Sequence, residues 1–185
     1  MTKYIDIDND LYPDSLKNIE NSPKKIFFKG NINLLNSLCF SVIGSRDLSD
    51  YGKKIEKRFV KVLSQYGITI VSGMALGADG VAHKETLDNN GKTIAVLGSG
   101  FNHIFPKENI DLYNKIIDND GLVITEYEDN IEPLSKNFPE RNRIVSGLSK
   151  GVLVIEAKYR SGTSITVNYA KMQGKKVFAL PRKIR

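Results

Sequence analysis

A chain of 185 residues with 41% hydrophobic and 26% charged residues is typical of one globular domain, and it excludes disordered, collagen-like and disulfide-stapled classes. A single cysteine, Cys39, cannot form an intramolecular disulfide, and with only two histidines we expect no metal site. The apolar runs at 68–71 and 152–155 are too short to cross a bilayer, and no apolar signal segment follows the N-terminus. We therefore expect a cytoplasmic protein with no membrane partner.

The net charge of +6 is unevenly distributed. Residues 1–135 carry 15 Lys and Arg against 19 Asp and Glu, a net charge of −4, whereas residues 136–185 carry 12 against 2, a net charge of +10. A basic C-terminal face of this kind indicates a polyanionic partner, and nucleic acid is favoured because no amphipathic membrane anchor accompanies it. The alternative is a solvated basic surface that the acidic half offsets.

The first 38 residues are polar and weakly periodic, which predicts an extended lead-in with a short helix around 14–20. From Phe40 onward, β-branched apolar runs alternate with helical stretches. The strands are expected near 40–43, 68–72, 93–97, 122–125, 152–155 and 176–179, and the helices at 51–66, 78–89, 109–118, 139–150 and 164–173. This alternation predicts an α/β, extended Rossmann-like, doubly wound and mostly parallel sheet with helices on both faces, whose ligand lies beyond the carboxyl ends of the strands.

Glycine-rich turns follow the predicted strands, at 44–46, 72–77 and 98–100, and a fourth at 160–163 precedes a helix. Glycine lets the backbone approach an anion, and the N-terminus of the following helix offers free N–H groups, so the four turns together predict a phosphate-binding rim. Each turn taken alone is better explained as a simple tight turn.

Common enzyme signatures fit poorly. The first turn lacks the G-x-G-x-x-G of dinucleotide-binding proteins, and no Walker loop precedes Gly52-Lys53. Ser149 lies in a G-x-S-x-G match, but between a helix and a strand rather than in the strand-to-helix turn of a nucleophile elbow. His83 and His103 have no Ser or Cys nucleophile beside them in the sequence. We predict no catalytic residue and no cofactor.

The segment 136–143 places Phe138 among the cations Lys136, Arg141 and Arg143. A base can stack on an exposed ring while cations bind phosphates, which is the combination that holds single-stranded nucleic acid. The alternative is that Phe138 anchors the core, Pro139 starts a helix and both arginines pair with acids.

With these motifs in place, the chain resembles the DprA/Smf family, the DNA processing protein A of bacterial natural transformation. The resemblance runs from about residue 12 to 181. It rests on the lead-in segments 12–16 and 27–31, and on the motifs at 42–46, 71–79, 93–100, 105–106, 138–144, 147–149 and 160–163.

The resemblance implies a protein that binds single-stranded DNA, dimerises, protects incoming DNA and hands the strand to RecA recombinase, without catalysis. It implies a lead-in at 1–38 and a Rossmann-like DNA-binding core at 39–185, without the winged-helix domain of many relatives. Together with the turns above, it gives the predicted DNA-binding set Gly44, Ser45, Arg46, Ser72, Gly73, Gly77, Lys136, Phe138, Arg141, Asn142, Arg143, Arg160, Ser161, Gly162 and Thr163.

Two other functions remain open. Phosphoribohydrolases share a P-G-G-x-G-T-x-x-E signature that the turn at 160–163 partly matches, but Thr166 stands where their catalytic Glu would be. A sensor of nucleotide-derived signals would use the same phosphate rim without hydrolysis. A signal molecule needs a closed pocket, whereas a strand needs an open basic groove.

Overall fold

A computed structural model describes residues 2–158 and 160–181. The strands are β1 (Tyr4–Asp6), β2 (Lys25–Gly30), β3 (Cys39–Ile43), β4 (Thr69–Ser72), β5 (Thr93–Val96), β6 (Leu122–Thr125), β7 (Gly151–Val154) and β8 (Lys176–Ala179). The helices are α1 (Asp14–Lys17), α2 (Asp50–Gln65), α3 (Ala78–Asp88), α4 (Ile110–Asp118), α5 (Asn137–Leu148) and α6 (Gly162–Met172), with short 3-10 turns at Ile32–Asn36 and Lys107–Asn109. The C-terminal cations at 182, 183 and 185 that enter the charge count lie outside the described residues.

The eight strands form one sheet in the order β1-β2-β6-β5-β4-β3-β7-β8. The strands from β6 to β8 in that order pair in parallel, whereas β1 and β2 pair antiparallel at one edge. The chain runs from β3 outward to β6 and then returns to place β7 on the other side of β3. The neighbouring carboxyl ends of β3 and β7 therefore form a topological switch point, where doubly wound folds bind their ligands.

The central strands are short apolar runs because helices cover both faces of the sheet. Every residue of β4, β5, β6 and β7 is buried, as expected for parallel strands packed on both sides. The predicted α/β class and its mostly parallel sheet are confirmed, and each of the six predicted strands and five predicted helices lies within about two residues of an observed element.

The lead-in contributes more regular structure than its sequence predicts. β2 pairs with β6, and β1 pairs with β2, so residues 1–38 extend the sheet of the core. Leu16 and Ile19, in and just after α1, pack where α5 carries Gly147, and a Cβ at Gly147 would lie 2.9 Å from a methyl carbon of Leu16. The lead-in thereby packs against α5 on the side of the helix that carries Gly147 and helps to hold this helix in place.

Within the described ranges, no helix combines the length and the apolar character needed to cross a membrane.

Candidate nucleic-acid interface

A pocket of about 690 Å³ opens at the carboxyl ends of β3, β4, β5 and β7. Its walls come from the turns after these strands and from the first turns of α5 and α6. Of the predicted DNA-binding set, the residues lining it are Gly44, Ser45, Arg46, Gly73, Phe138, Arg141, Asn142, Ser161, Gly162 and Thr163. A volume of this size is within the range of small-molecule sites, so it is large enough for a nucleotide or for a few groups of a longer ligand, but not for a whole strand.

The turn after β3 presents a cation to the pocket. Arg46 is exposed, and its guanidinium has no side-chain or backbone partner among residues 2–158 and 160–181. The turn is held by the Ser45 hydroxyl, which accepts the N–H of Asp47 at 3.1 Å, and by Ser45 carbonyl oxygen, which accepts the N–H of Ala78 at 3.1 Å. Arg46 is thus a free donor on a fixed turn.

Gly77 supports this turn and does not line the pocket. Its φ of 75° is favourable only for glycine, and a Cβ there would collide with the carbonyl oxygens of Ser45 and Arg46. The predicted role of Gly77 as a direct ligand is replaced by this supporting role.

The N-terminus of α6 is a second element of the pocket wall whose chemistry suits an anion. The N–H groups of a helix's first turn have no acceptor within the helix, and the helix dipole is positive there. Gly162 and Thr163 begin α6 at the pocket wall, and a Cβ at Gly162 would meet no atom within 4 Å, so there is open space beside the first residue of the helix. Asn142 ties α5 to this turn, since its side-chain N–H group lies 3.4 Å from the Gly162 carbonyl oxygen.

Two phenylalanine rings form the aromatic end of the pocket. Phe138, half-buried in the first turn of α5, lies 5.5 Å from the ring of Phe105 with a tilt of 50° between the planes. The edge of Phe138 also packs on Gly98, where a Cβ would lie 2.9 Å from a ring carbon, so a side chain at this position would displace the ring. Phe138 is therefore neither a core anchor nor a freely exposed ring.

Arg141 is buried at the floor of the pocket, with 5% of its surface exposed. It donates to the carbonyl oxygens of Gly73 and Val96, which follow β4 and end β5, and to the side-chain oxygen of Asn142 at 3.1 Å. Burial lowers the pKa of Arg141, although neighbouring Asp79 opposes the shift. Most of its donors are thus used inside the protein, which corrects the prediction that Arg141 offers its guanidinium to phosphates.

The turn after β4 also differs from the prediction that Ser72 and Gly73 contact DNA. The N–H groups of Gly73 and Ala75 donate to a carboxylate oxygen of Asp79, at 3.1 and 3.3 Å. The Ser72 hydroxyl is fully buried and donates to the Val42 carbonyl oxygen at 2.7 Å. These groups join β3, β4 and α3, and they are not available to a phosphate.

Arg143 lies outside the pocket. Its guanidinium binds both carboxylate oxygens of Glu126 at 2.6 Å and donates to the carbonyl oxygen of Asn21 at 2.9 Å. Burial alone would lower the pKa of Arg143, but its hydrogen bonds to Glu126 and the charge of that carboxylate raise it. The alternative in which this arginine pairs with an acid describes the geometry, and we leave Arg143 out of the DNA-binding set.

The basic half of the chain is therefore not one basic face. Lys136 and Arg160 are exposed on segments next to the pocket but do not line it. Lys158, which is outside the predicted DNA-binding set, lines the pocket and binds Asp47 at 3.1 Å across its rim. Its position two residues before the glycine-containing turn at 160–163 is the feature of the sequence that indicates a place near the pocket.

The fold and the pocket define a Rossmann-like α/β domain with its binding site at the topological switch point. Within that class the family is clear. The chain belongs to the DNA recombination-mediator protein A family, which it matches over residues 3–185, and the resemblance to DprA/Smf proteins is confirmed.

Individual relatives of known sequence or structure support this family membership. Protein Smf of Escherichia coli is 45% identical over 96% of this chain, and the chain spans 47% of that protein. The X-ray structure of DNA processing protein A from Streptococcus pneumoniae superposes with a TM-score of 0.94 at 42% identity, covering 99% of this chain and 64% of the other. A Helicobacter pylori DNA processing protein A, whose structure concerns its single-stranded DNA binding mode, gives a TM-score of 0.89 at 30% identity, covering 100% and 85%.

Proposed function

We propose that this chain binds single-stranded DNA in the pocket at the carboxyl ends of β3 and β7, without base specificity. The observation that carries the proposal is that one pocket combines a free cation, a helix N-terminus and a pair of aromatic rings. Proteins that hold single strands use cations for the backbone and aromatic faces for the bases.

In this proposal the phosphates contact Arg46 and the first amides of α6, and a base lies against the aromatic end formed by Phe138 and Phe105. Phe105 follows β5 and α6 follows β7, and β4 and β3 lie between these two strands in the sheet, so the base contact and the phosphate contacts come from different sides of the pocket. Lys136, Lys158 and Arg160 extend the positive charge around the rim.

Family membership and the single-stranded DNA binding of the Helicobacter pylori relative support the proposal. The test is fluorescence anisotropy of a labelled oligothymidine and of a duplex of equal length, over a salt series. We expect tighter binding of the single strand, with affinity falling as salt rises. Arg46→Ala should weaken binding about 5- to 30-fold, whereas Arg58→Ala, on the outer face of α2, should not. If Arg46→Ala binds oligothymidine as tightly as Arg58→Ala does, the DNA-binding site does not include Arg46.

Hydrolysis of a nucleotide is a weaker alternative. The Thr166 hydroxyl, where a phosphoribohydrolase would carry its Glu, lies 3.3 Å from the Gly162 carbonyl oxygen and is its donor. Asp79, the carboxylate lining the pocket floor, accepts two backbone N–H groups. A nucleotide sensor is distinguished by the length of its ligand. If the chain binds single-stranded DNA as proposed, thymidine monophosphate should displace a bound oligothymidine poorly. If the chain is a nucleotide sensor, thymidine monophosphate should bind as tightly as the oligothymidine.

The remaining functions follow from the family rather than from the pocket. We propose that the full protein protects incoming DNA in the cytoplasm, acts as a homodimer and transfers the strand to RecA. The exposed apolar side chains of Phe178 and Met172, at the β8 edge of the sheet, support self-association. Sedimentation velocity tests the dimer, and RecA filament assembly on a strand already bound by this protein tests the transfer.

A further inference from the structure

Phe105 is the one large apolar side chain of the pocket wall that is more than a third exposed, among the residues that the structure describes. It has 44% of its surface accessible, whereas Phe138 is less exposed and packs on Gly98 and Phe105. An exposed ring on the wall of a pocket indicates a surface that an apolar ligand group covers.

The two rings have different surroundings. Phe138 contacts Gly98 at its edge, the ring of Phe105 at 5.5 Å and the guanidinium of Arg141 at 5.9 Å. Phe105 projects from the loop after β5, and its neighbour Pro106 is buried, so the backbone beneath the ring is anchored. Phe138 is thus half-buried against other side chains, and Phe105 is the ring with the larger surface open to the pocket.

We propose that Phe105 is the platform on which a DNA base stacks, and that Phe138 supports it from behind. This inference rests on the proposed function and assigns the base contact to a residue outside the predicted DNA-binding set. Base stacking on an aromatic side chain tolerates every base, in agreement with binding that does not read sequence.

The first test compares Phe105→Ala, Phe105→Leu and Phe105→Tyr for oligothymidine affinity. We expect a loss of about 5- to 100-fold for Ala and Leu and near wild-type affinity for Tyr, because only Tyr keeps an aromatic face. Leu preserves apolar packing against Phe138, so its loss separates stacking from folding. Thermal midpoints of all three variants should stay close to wild type, since the ring is substantially exposed.

The second test uses strands that carry abasic sites. Wild type should lose affinity when bases are removed, whereas Phe105→Ala should bind the normal and the abasic strand equally. A reporter adds a direct reading: the chain has no tryptophan, so Phe105→Trp introduces a single one. Its emission should be quenched by oligothymidine, and that of the control Tyr66→Trp, on the surface at the end of α2, should not change.

The outcomes separate the two proposals. If the wild-type chain binds no single-stranded DNA, the proposed function and this inference both fail. If it binds, and Phe105→Ala retains full affinity or the same sensitivity to abasic sites, only the assignment of Phe105 is overturned. The same holds if Phe105→Trp emission is unchanged by a saturating strand.

Discussion

Glu56 is a fully buried carboxyl group in α2, one turn before the core residue Val60. Neither of its carboxyl oxygens has a hydrogen-bond partner among the described residues. Burial raises the pKa of Glu56 to about 9, with smaller contributions from the negative charges of Asp79, Glu156 and Glu85. At neutral pH the native protein therefore holds this side chain as a neutral acid.

The linkage between protonation and folding gives the sign and size of the effect. The unfolded chain releases the proton above pH 4.5 and the native chain keeps it to about pH 9, so the native state loses stability as the pH rises through this interval. At pH 7 the loss relative to pH 4.5 is about 3 kcal/mol, since each pH unit corresponds to about 1.4 kcal/mol. Glu56→Gln keeps the shape of the neutral acid and removes the titration.

Urea unfolding of wild type and Glu56→Gln at pH 5, 6, 7 and 8 measures this difference. We expect the variant to match wild type within about 1 kcal/mol at pH 5 and to gain about 1.4 kcal/mol over it per pH unit above that. Glu108→Gln, at an exposed glutamate, serves as the control and should show a constant difference. Two parallel stability curves for wild type and Glu56→Gln would refute the assignment of a buried neutral acid.

Three further results are expected. Gly77→Ala should weaken oligothymidine binding at least several-fold, because its Cβ displaces the turn that carries Arg46; unchanged anisotropy titrations would contradict this. Asp47→Asn should tighten binding a few-fold at low salt, since it frees Lys158 at the rim, and the gain should vanish at high salt. Burial lowers the pKa of His83 to about 3, so acid should cost stability as the pH falls from 6.5. His83→Leu should flatten this loss in urea unfolding at pH 4 to 6.5, and an equal slope in both proteins would count against a buried neutral imidazole.

Most of the sheet could be predicted from local sequence because β3 to β8 are apolar runs bounded by glycines and polar turns. β1 and β2 could not, since a strand at the sheet edge needs less apolar character and its partner β6 lies almost 100 residues further along the chain. Only the tertiary pairing distinguishes them from an extended lead-in.

The place of the site could also be predicted, because the carboxyl ends of parallel strands meet at one edge and the glycine turns follow those ends. The hydrogen-bond partner of each donor group in the site could not be predicted. Sequence position shows that Arg141 stands near the pocket, but its acceptors are carbonyl oxygens 68 and 45 residues away. His83 and Glu56 gave no sequence signal for their burial, because each lies on a helix of mixed polarity.

The two arginines of the F-P-E-R-N-R segment explain how an anion-binding pocket can be built with few free cations. Arg141 joins the ends of β4 and β5, and Arg143 joins α5 to Glu126 and to the lead-in. A guanidinium suits both tasks because its planar set of donors can reach several oxygens at once, which an ammonium group cannot do in the same geometry. These bonds hold α5, and with it Phe138, against the loop that carries Phe105. In the proposed function the charge offered to a phosphate then comes from Arg46 and the start of α6, while the arginines of the segment fix α5 and Phe138 relative to those donors.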